Sequence, residues 1–219
     1  MRAEEVGTPK AFRVVVADDD RLTALTLTDS LARHGLLPVG VAHDAGQALA
    51  ITLSLKPDAL VVDLDFGPGP TGLDVAVKAR RALPGLGVVM VTAYEDPRLL
   101  APRLPAAPEG TIYLVKQQLA HPEQVATAVR LAIELALDPP KKKPTKLVEL
   151  TDAQIELLRL VALGLSNQAI ATELTITPET VKKSITRLAK RLSVDHTGDT
   201  NIRVGLTHRY LQYSGHSRG

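Results

Sequence analysis

The 219-residue sequence contains no cysteine, which excludes a disulfide scaffold, a thiolate metal site and a cysteine nucleophile. It also lacks any apolar run near the roughly 20 residues that a membrane-spanning helix needs. Its opening decapeptide, MRAEEVGTPK, has no apolar stretch of the kind a secretory signal carries. The expectation is a cytoplasmic chain with no membrane partner. What is present is ordinary for a folded protein: the composition is 45% hydrophobic and 23% charged, so packed cores are expected rather than disorder. At roughly 100 to 200 residues per domain, the length suits two modest domains.

The formal charge of +2 conceals an asymmetry. Residues 1–137 carry 13 Lys and Arg against 16 Asp and Glu, net −3, whereas residues 138–219 carry 13 against 8, net +5. A basic second half points to a polyanionic partner. The halves meet at residues 138–146, Asp-Pro-Pro-Lys-Lys-Lys-Pro-Thr-Lys. Three prolines and four lysines neither continue a helix nor bury themselves, so this stretch reads as an interdomain linker.

Before the linker, short apolar runs alternate with amphipathic ones. Residues 12–17, 39–42, 59–64, 87–91 and 111–115 have the composition of buried strands. Residues 21–34, 44–55, 72–83 and 122–137 have helical spacing and end at glycine, proline or the linker. Such alternation builds a parallel sheet covered on both faces through right-handed crossovers. Between Tyr94 and Gly110, prolines 97, 102, 105 and 108 leave room for no more than a short or broken helix.

Acidic residues gather where strands end. Asp18-Asp19-Asp20 follows the first expected strand, and Asp63 and Asp65 close the third. In the flavodoxin-like strand order 2-1-3-4-5 these two ends are neighbours at the switch point, where ligands of open parallel sheets bind. Carboxylates at such close quarters need a counter-ion, and an all-oxygen donor set suits Mg²⁺. Thr92 and Lys116 end the fourth and fifth strands on the same edge. A hydroxyl and an ammonium beside a metal-bound carboxylate suit a phosphoryl group. Taken singly, each has a plainer role: Asp19 or Asp20 as a helix cap, Asp65 as a turn residue, Thr92 as a strand former, Lys116 as a surface cation.

The motifs VVVADDD, PDALVVDLD, VTA and YLVK stand in order at these strand ends, and residues 11–137 resemble the receiver domain of two-component response regulators. The resemblance implies that Asp63 takes a phosphoryl group from a sensor histidine kinase. It implies that Asp19, Asp63 and the main-chain carbonyl of Asp65 hold Mg²⁺, with Asp18 completing the acidic pocket. Lys116 would pair with the phosphoryl oxygens, Thr92 would hydrogen-bond to them, and Tyr113 falls at the aromatic switch position. Two departures stand out. The family's glycine comes eight residues after the acceptor, whereas Gly72 comes nine after Asp63. The proline-rich stretch also replaces the fourth helix.

After the linker the apolar period is helical throughout. Thr151 and Gln154 form a capping-box pattern ahead of Ile155, Leu158, Val161 and Ala162. Ser166 or Asn167 would cap a second helix carrying Ile170 and Leu174, and Thr177-Pro178 would open a third with Val181, Ile185, Leu188 and Leu192 on one face. A fourth helix is expected from about Asp199 to Leu211. The second and third make a helix-turn-helix candidate. The outward face of the third carries Glu179, Lys182, Lys183, Thr186, Arg187 and Lys190, placed to reach base edges and phosphates. A merely solvated charged face is the plainer alternative.

The run from Leu150 to Val194 resembles the LuxR-type helix-turn-helix without a gap. The resemblance makes 178–192 the recognition helix, with Thr180, Lys182, Lys183, Thr186, Arg187 and Lys190 as DNA-contacting residues. It also makes the last helix, with Val204, Leu206 and Leu211, the element through which two copies pair. The whole chain is thus expected to be a receiver (11–137), a linker (138–146) and an all-α, four-helix domain (147–213), the architecture of the NarL/FixJ subfamily. The implied function is DNA-binding transcriptional control by a homodimer, gated by phosphorylation of Asp63 and without enzymatic turnover of its own. A regulator of the same fold that binds DNA independently of phosphorylation stays open. A haloacid dehalogenase-like phosphatase is disfavoured, because that family puts its Asp-x-Asp at the first strand rather than the third.

Overall fold

The computed structural model describes residues 11–100, 104–119, 121, 123–138, 150–194 and 202–214. The chain divides into two units: Met1–Thr92 with Pro105–Lys143, and Ala93–Leu104 with Pro144–Gly219. Apart from Asp138, the expected linker lies outside the described residues, as do the start of the expected C-terminal domain and Asp199.

The first unit holds a five-stranded sheet. The strands are β1 (Arg13–Ala17), β2 (Leu37–Ala42), β3 (Ala59–Val62), β4 (Gly87–Thr92) and β5 (Ile112–Val115). Their order is β2-β1-β3-β4-β5, every pairing is parallel, and the arrangement is the expected receiver fold. Strands β1, β3 and β4 are buried almost throughout. The edge strands differ from the expectation of burial: β2 is half-exposed and β5 is buried only at Val115. Each has a single neighbour, so one flank meets solvent.

The helices α1 (Arg21–Arg33), α2 (Ala45–Leu55), α3 (Gly72–Ala82) and α4 (Glu123–Leu137) cover the sheet. α1 and α4 pack together, and α2 packs with α3. Leu27 and Leu31 of α1 and Val125, Val129 and Ile133 of α4 form one core with Val14, Val16, Val61 and Val89 of the sheet. Helix starts follow the capping rules. Asp20 caps α1, Asp44 caps α2, and Thr71 and Asp74 form a reciprocal capping box on α3. Between β4 and β5 the described residues contain no α-helix, only the 3-10 turn Pro97–Leu99, as the prolines require.

The second unit contains α5 (Asp152–Ala162), α6 (Asn167–Leu174), α7 (Pro178–Arg191) and α8 (Ile202–Tyr213). Thr151 and Gln154 close the capping box, Ser166 rather than Asn167 caps α6, and Thr177 caps α7 with Pro178 in its first turn. Ile155, Leu158, Ile170, Val181, Ile185, Leu188 and Leu206 fill the interior. The turn between α6 and α7 is made by Thr175, whose φ of 55° is left-handed, and by the Ile176 amide donating to the Ala171 carbonyl at 2.9 Å. Arg203 of α8 donates to Asn167 Oδ1 at 2.9 Å and to the Leu165 carbonyl, fastening α8 to the start of α6.

Candidate functional site

The first site lies at the carboxyl edge of the sheet in the first unit. Because β1 and β3 are adjacent, their ends bring Asp18, Asp19 and Asp63 together, one oxygen of each lying within 4.8 Å of the others. Asp18 is fully buried, Asp63 is 6% exposed, and Asp19 faces solvent. The backbone fixes the two buried acids: the Asp18 amide donates to the Ala42 carbonyl at 3.1 Å, and the Asp63 amide to the Ala17 carbonyl at 2.8 Å.

Lys116, just beyond β5, reaches across to both. Its Nζ lies 2.6 Å from Asp63 Oδ2 and 2.8 Å from Asp18 Oδ2. Burial drives the Asp63 carboxyl up to about 6, against the pull of Lys116, and Asp18 up likewise. Burial also pulls the Lys116 ammonium down, but the two carboxylates outweigh it and hold it above its ordinary value. Three carboxyl groups gathered around a single ammonium make an all-oxygen donor set with an excess of acidic groups, which fits a hard divalent cation.

The remaining expected residues occupy distinct places. Thr92 is fully buried at the end of β4, and Tyr113 is half-buried on β5. The Asp65 carboxylate is outside the cluster and accepts the Gly67 amide at 2.9 Å, which makes it a turn residue on its side-chain side. Asp20 is drawn off to α1, accepting the amides of Leu22 and Thr23.

Two contacts were not expected. His43 Nδ1 lies 3.0 Å from the Asp18 carbonyl, so an Nδ1–H donates there and braces the buried acid from the β2 side. A histidine ending the strand beside β1 was the available signal. Gly72 presses on Asp63 itself: a Cβ there would stand 1.8 Å from the Asp63 carbonyl oxygen. The later-placed glycine thus still meets the Asp63 backbone, and the extra residue is taken up in an outlying loop. Gly67 and Gly69 in that loop adopt positive φ and have open space around them.

The second site is the exposed face of α7. Val181, Ile185 and Leu188 are buried, while Glu179, Thr180, Lys182, Lys183, Thr186, Arg187 and Lys190 are all exposed. Glu179, Lys182, Lys183, Thr186 and Arg187 line one open groove. None of the basic residues on this face forms an ion pair among the described contacts, so their charge is displayed outward.

Residues 14–124 match the family described as response regulator receiver domain, and residues 148–200 match bacterial regulatory proteins of the luxR family. Oxygen regulatory protein NreC of Staphylococcus haemolyticus is 27% identical over 203 residues, covering 84% of this chain and 92% of that protein. Response regulator protein VraR of Staphylococcus aureus is 28% identical over 195 residues, covering 84% and 91%. A solved RcsB–DNA complex aligns with 93% of this chain and 99% of that one, at a TM-score of 0.56 and 22% identity, a likeness of fold. The chain belongs to the response regulator receiver family and is a two-component response regulator of the NarL/FixJ type, joining a receiver to a LuxR-type DNA-binding domain.

Proposed function

We propose that Asp63 is the phospho-acceptor through which a sensor histidine kinase controls DNA binding by α7. The observation that carries this reading is the bridge from Lys116 Nζ to the buried oxygens of Asp63 and Asp18 beside exposed Asp19. That ammonium is positioned to stay with a new phosphoryl group as negative charge is added. A Mg²⁺ ion held by Asp18, Asp19 and Asp63, with the Asp65 carbonyl, would neutralise the charge developing on the transferring phosphoryl oxygens.

The chain's own residues do the rest. An Asp63 carboxylate oxygen attacks phosphorus. The N–P bond of the donor phosphohistidine breaks, its electron pair stays on the imidazole nitrogen, and an acyl phosphate forms on Asp63. The raised Asp63 value leaves the carboxylate ionised, and so nucleophilic, above about 6. Lys116 pairs with the phosphoryl oxygens, Thr92 donates its hydroxyl to one of them, and Tyr113 responds as the switch residue.

On the effector side, Thr180, Lys182, Lys183 and Thr186 face bases, while Arg187 and Lys190 contact phosphates. Two copies paired through α8 would present two such helices to paired half-sites. In sequence terms the receiver spans 11–137, the linker 138–146 and the DNA-binding domain 147–213.

The test is intact-mass and peptide mass spectrometry after incubation with acetyl phosphate and Mg²⁺. The expected result is one phosphoryl adduct of about 80 Da mapped to Asp63, lost with EDTA and with Asp63→Asn. Absence of the adduct from the unsubstituted protein overturns the reading.

A further inference from the structure

The stripe that α7 turns outward is not uniformly basic. Glu179, Lys182, Lys183, Thr186 and Arg187 line one open groove of about 500 Å³, and their helical spacing sets them along a single face over about two turns. Three cations share that face with one carboxylate. Glu179 stands in the first turn of α7, the end of such a helix from which side chains reach base edges.

Hydrogen bonding divides the stripe into donors and acceptors. The Thr180 amide donates to Thr177 Oγ1 at 3.2 Å, and Thr180 Oγ1 lies 3.0 Å from the same oxygen, so that hydroxyl is held at the helix cap. Thr186 Oγ1 donates its proton to the Lys182 carbonyl at 3.1 Å, which leaves its oxygen only acceptor capacity. Lys182 and Lys183 are donors alone. Glu179 precedes them by three and four positions, the spacing of helical ion pairs. It makes no ion pair with either among the described contacts, and it is exposed.

A DNA groove surrounds such a helix with phosphates and with the acceptor atoms of guanine, adenine and thymine. A carboxylate taken into it without a donor is repelled and loses its water uncompensated. Two major-groove donors can receive it, the amino groups of cytosine and adenine. Adenine sets its amino group beside the acceptor N7, which repels a carboxylate, whereas cytosine has no acceptor of its own there.

We propose that Glu179 is a base-selecting residue that accepts a hydrogen bond from a cytosine N4 amino group and so imposes one cytosine position on each half-site. The proposal rests on α7 being the DNA-reading helix. Lys182 and Lys183 supply donors to guanine, while Glu179 discriminates against every duplex that offers it an acceptor. It sharpens selection chiefly by weakening the wrong complexes.

The experiment is selection from a random duplex library by the full chain, in acetyl phosphate and Mg²⁺ at one fixed salt concentration, for the unsubstituted protein, Glu179→Ala and Glu179→Gln. The recovered duplex and its single-base-pair variants are then titrated. The unsubstituted protein is expected to show one cytosine position per half-site whose replacement weakens binding about tenfold or more. Glu179→Ala is expected to bind all bases at that position within about twofold, to keep the preferences elsewhere, and to hold a scrambled duplex several-fold more tightly. Glu179→Gln is expected to move the preference toward adenine, which a glutamine amide pairs with. An unaltered base profile in Glu179→Ala overturns the proposal. So does an equal change of affinity on every duplex, the signature of a carboxylate that serves only the helix end. If none of the proteins enriches any sequence, the reading of α7 as a DNA reader fails and the role of Glu179 falls with it.

Discussion

The acidic edge and the basic helix put charge to opposite uses. At the edge, Asp18 and Asp63, 45 positions apart in sequence, are taken out of water and share the Lys116 ammonium, which lies 2.6–2.8 Å from both. On α7, Lys182, Lys183, Arg187 and Lys190 come from successive turns of one helix and face solvent, with no ion pair among the described contacts. The first is a tertiary construction whose charges hold each other in place. The second is a local amphipathic pattern whose charges are free to meet an external polyanion.

Removing one cation from each region should break the symmetry most sharply. Lys116→Ala leaves two buried carboxylates uncompensated and is expected to destabilise the first unit by about 3 kcal/mol near neutral pH, read as a lowered denaturant midpoint. A loss under about 1 kcal/mol would show that the edge is far wetter than its burial implies.

The next effect is a pH dependence confined to the acidic edge. The folded state holds the Asp63 proton at about 6 against an ordinary 3.8, so it binds that proton more tightly than the unfolded chain does. Stability from this group is therefore fully present below the lower value and is lost as pH rises through about 6. In EDTA, the unsubstituted protein should lose on the order of 1–2 kcal/mol between pH 5 and 7 that Asp63→Asn does not lose. Thermal melts across that range check it, and parallel curves for the two proteins would place the Asp63 carboxyl near its ordinary value. Mg²⁺ at pH 7 should recover stability in the unsubstituted protein and recover less of it in Asp19→Asn.

Much of this was legible beforehand, for a physical reason. Strands buried on both faces of a parallel sheet read as unbroken apolar runs, so Val14–Val16, Ala59–Val62 and Val88–Val91 located the edge where Asp18, Asp63 and Thr92 sit. The α7 face was legible because helix periodicity is local. Less legible was anything settled by pairing across the chain. The prolines foretold that residues 94–110 would not make a long helix, yet nothing local foretold Arg98 reaching Asp152, 54 positions away. The exposed flanks of β2 and β5 were missed for the same reason, because an edge strand is defined by the neighbour it lacks.

Smaller effects test the basic half. Thr175 holds a left-handed φ of 55° that a β-branched residue adopts at a cost. Thr175→Gly is expected to stabilise the second unit by about 0.5 kcal/mol, relief of strain being partly offset by a more flexible unfolded chain. A loss of stability would mean that the Thr175 side chain contributes packing. Least of all should Lys182→Ala alter folding, within about 0.5 kcal/mol, while weakening DNA binding and reducing its salt slope by about 1 if Lys182 neutralises one phosphate. Titrations of a duplex at several salt concentrations decide it, and an unchanged slope assigns Lys182 away from the backbone.

The aspartate triplet has a division of labour with its own consequence. Asp18 Oδ1 accepts the Asp20 amide at 3.0 Å, and Asp20 Oδ1 in turn accepts the amides of Leu22 at 2.8 Å and Thr23 at 3.1 Å. The innermost acid of the pocket is therefore tied by a two-link relay to the first turn of α1. A ligand that reorients Asp18 is therefore expected to shift the opening of that helix, whose Leu22 and Leu25 stand bare to solvent, and a probe on that neighbouring face would report it.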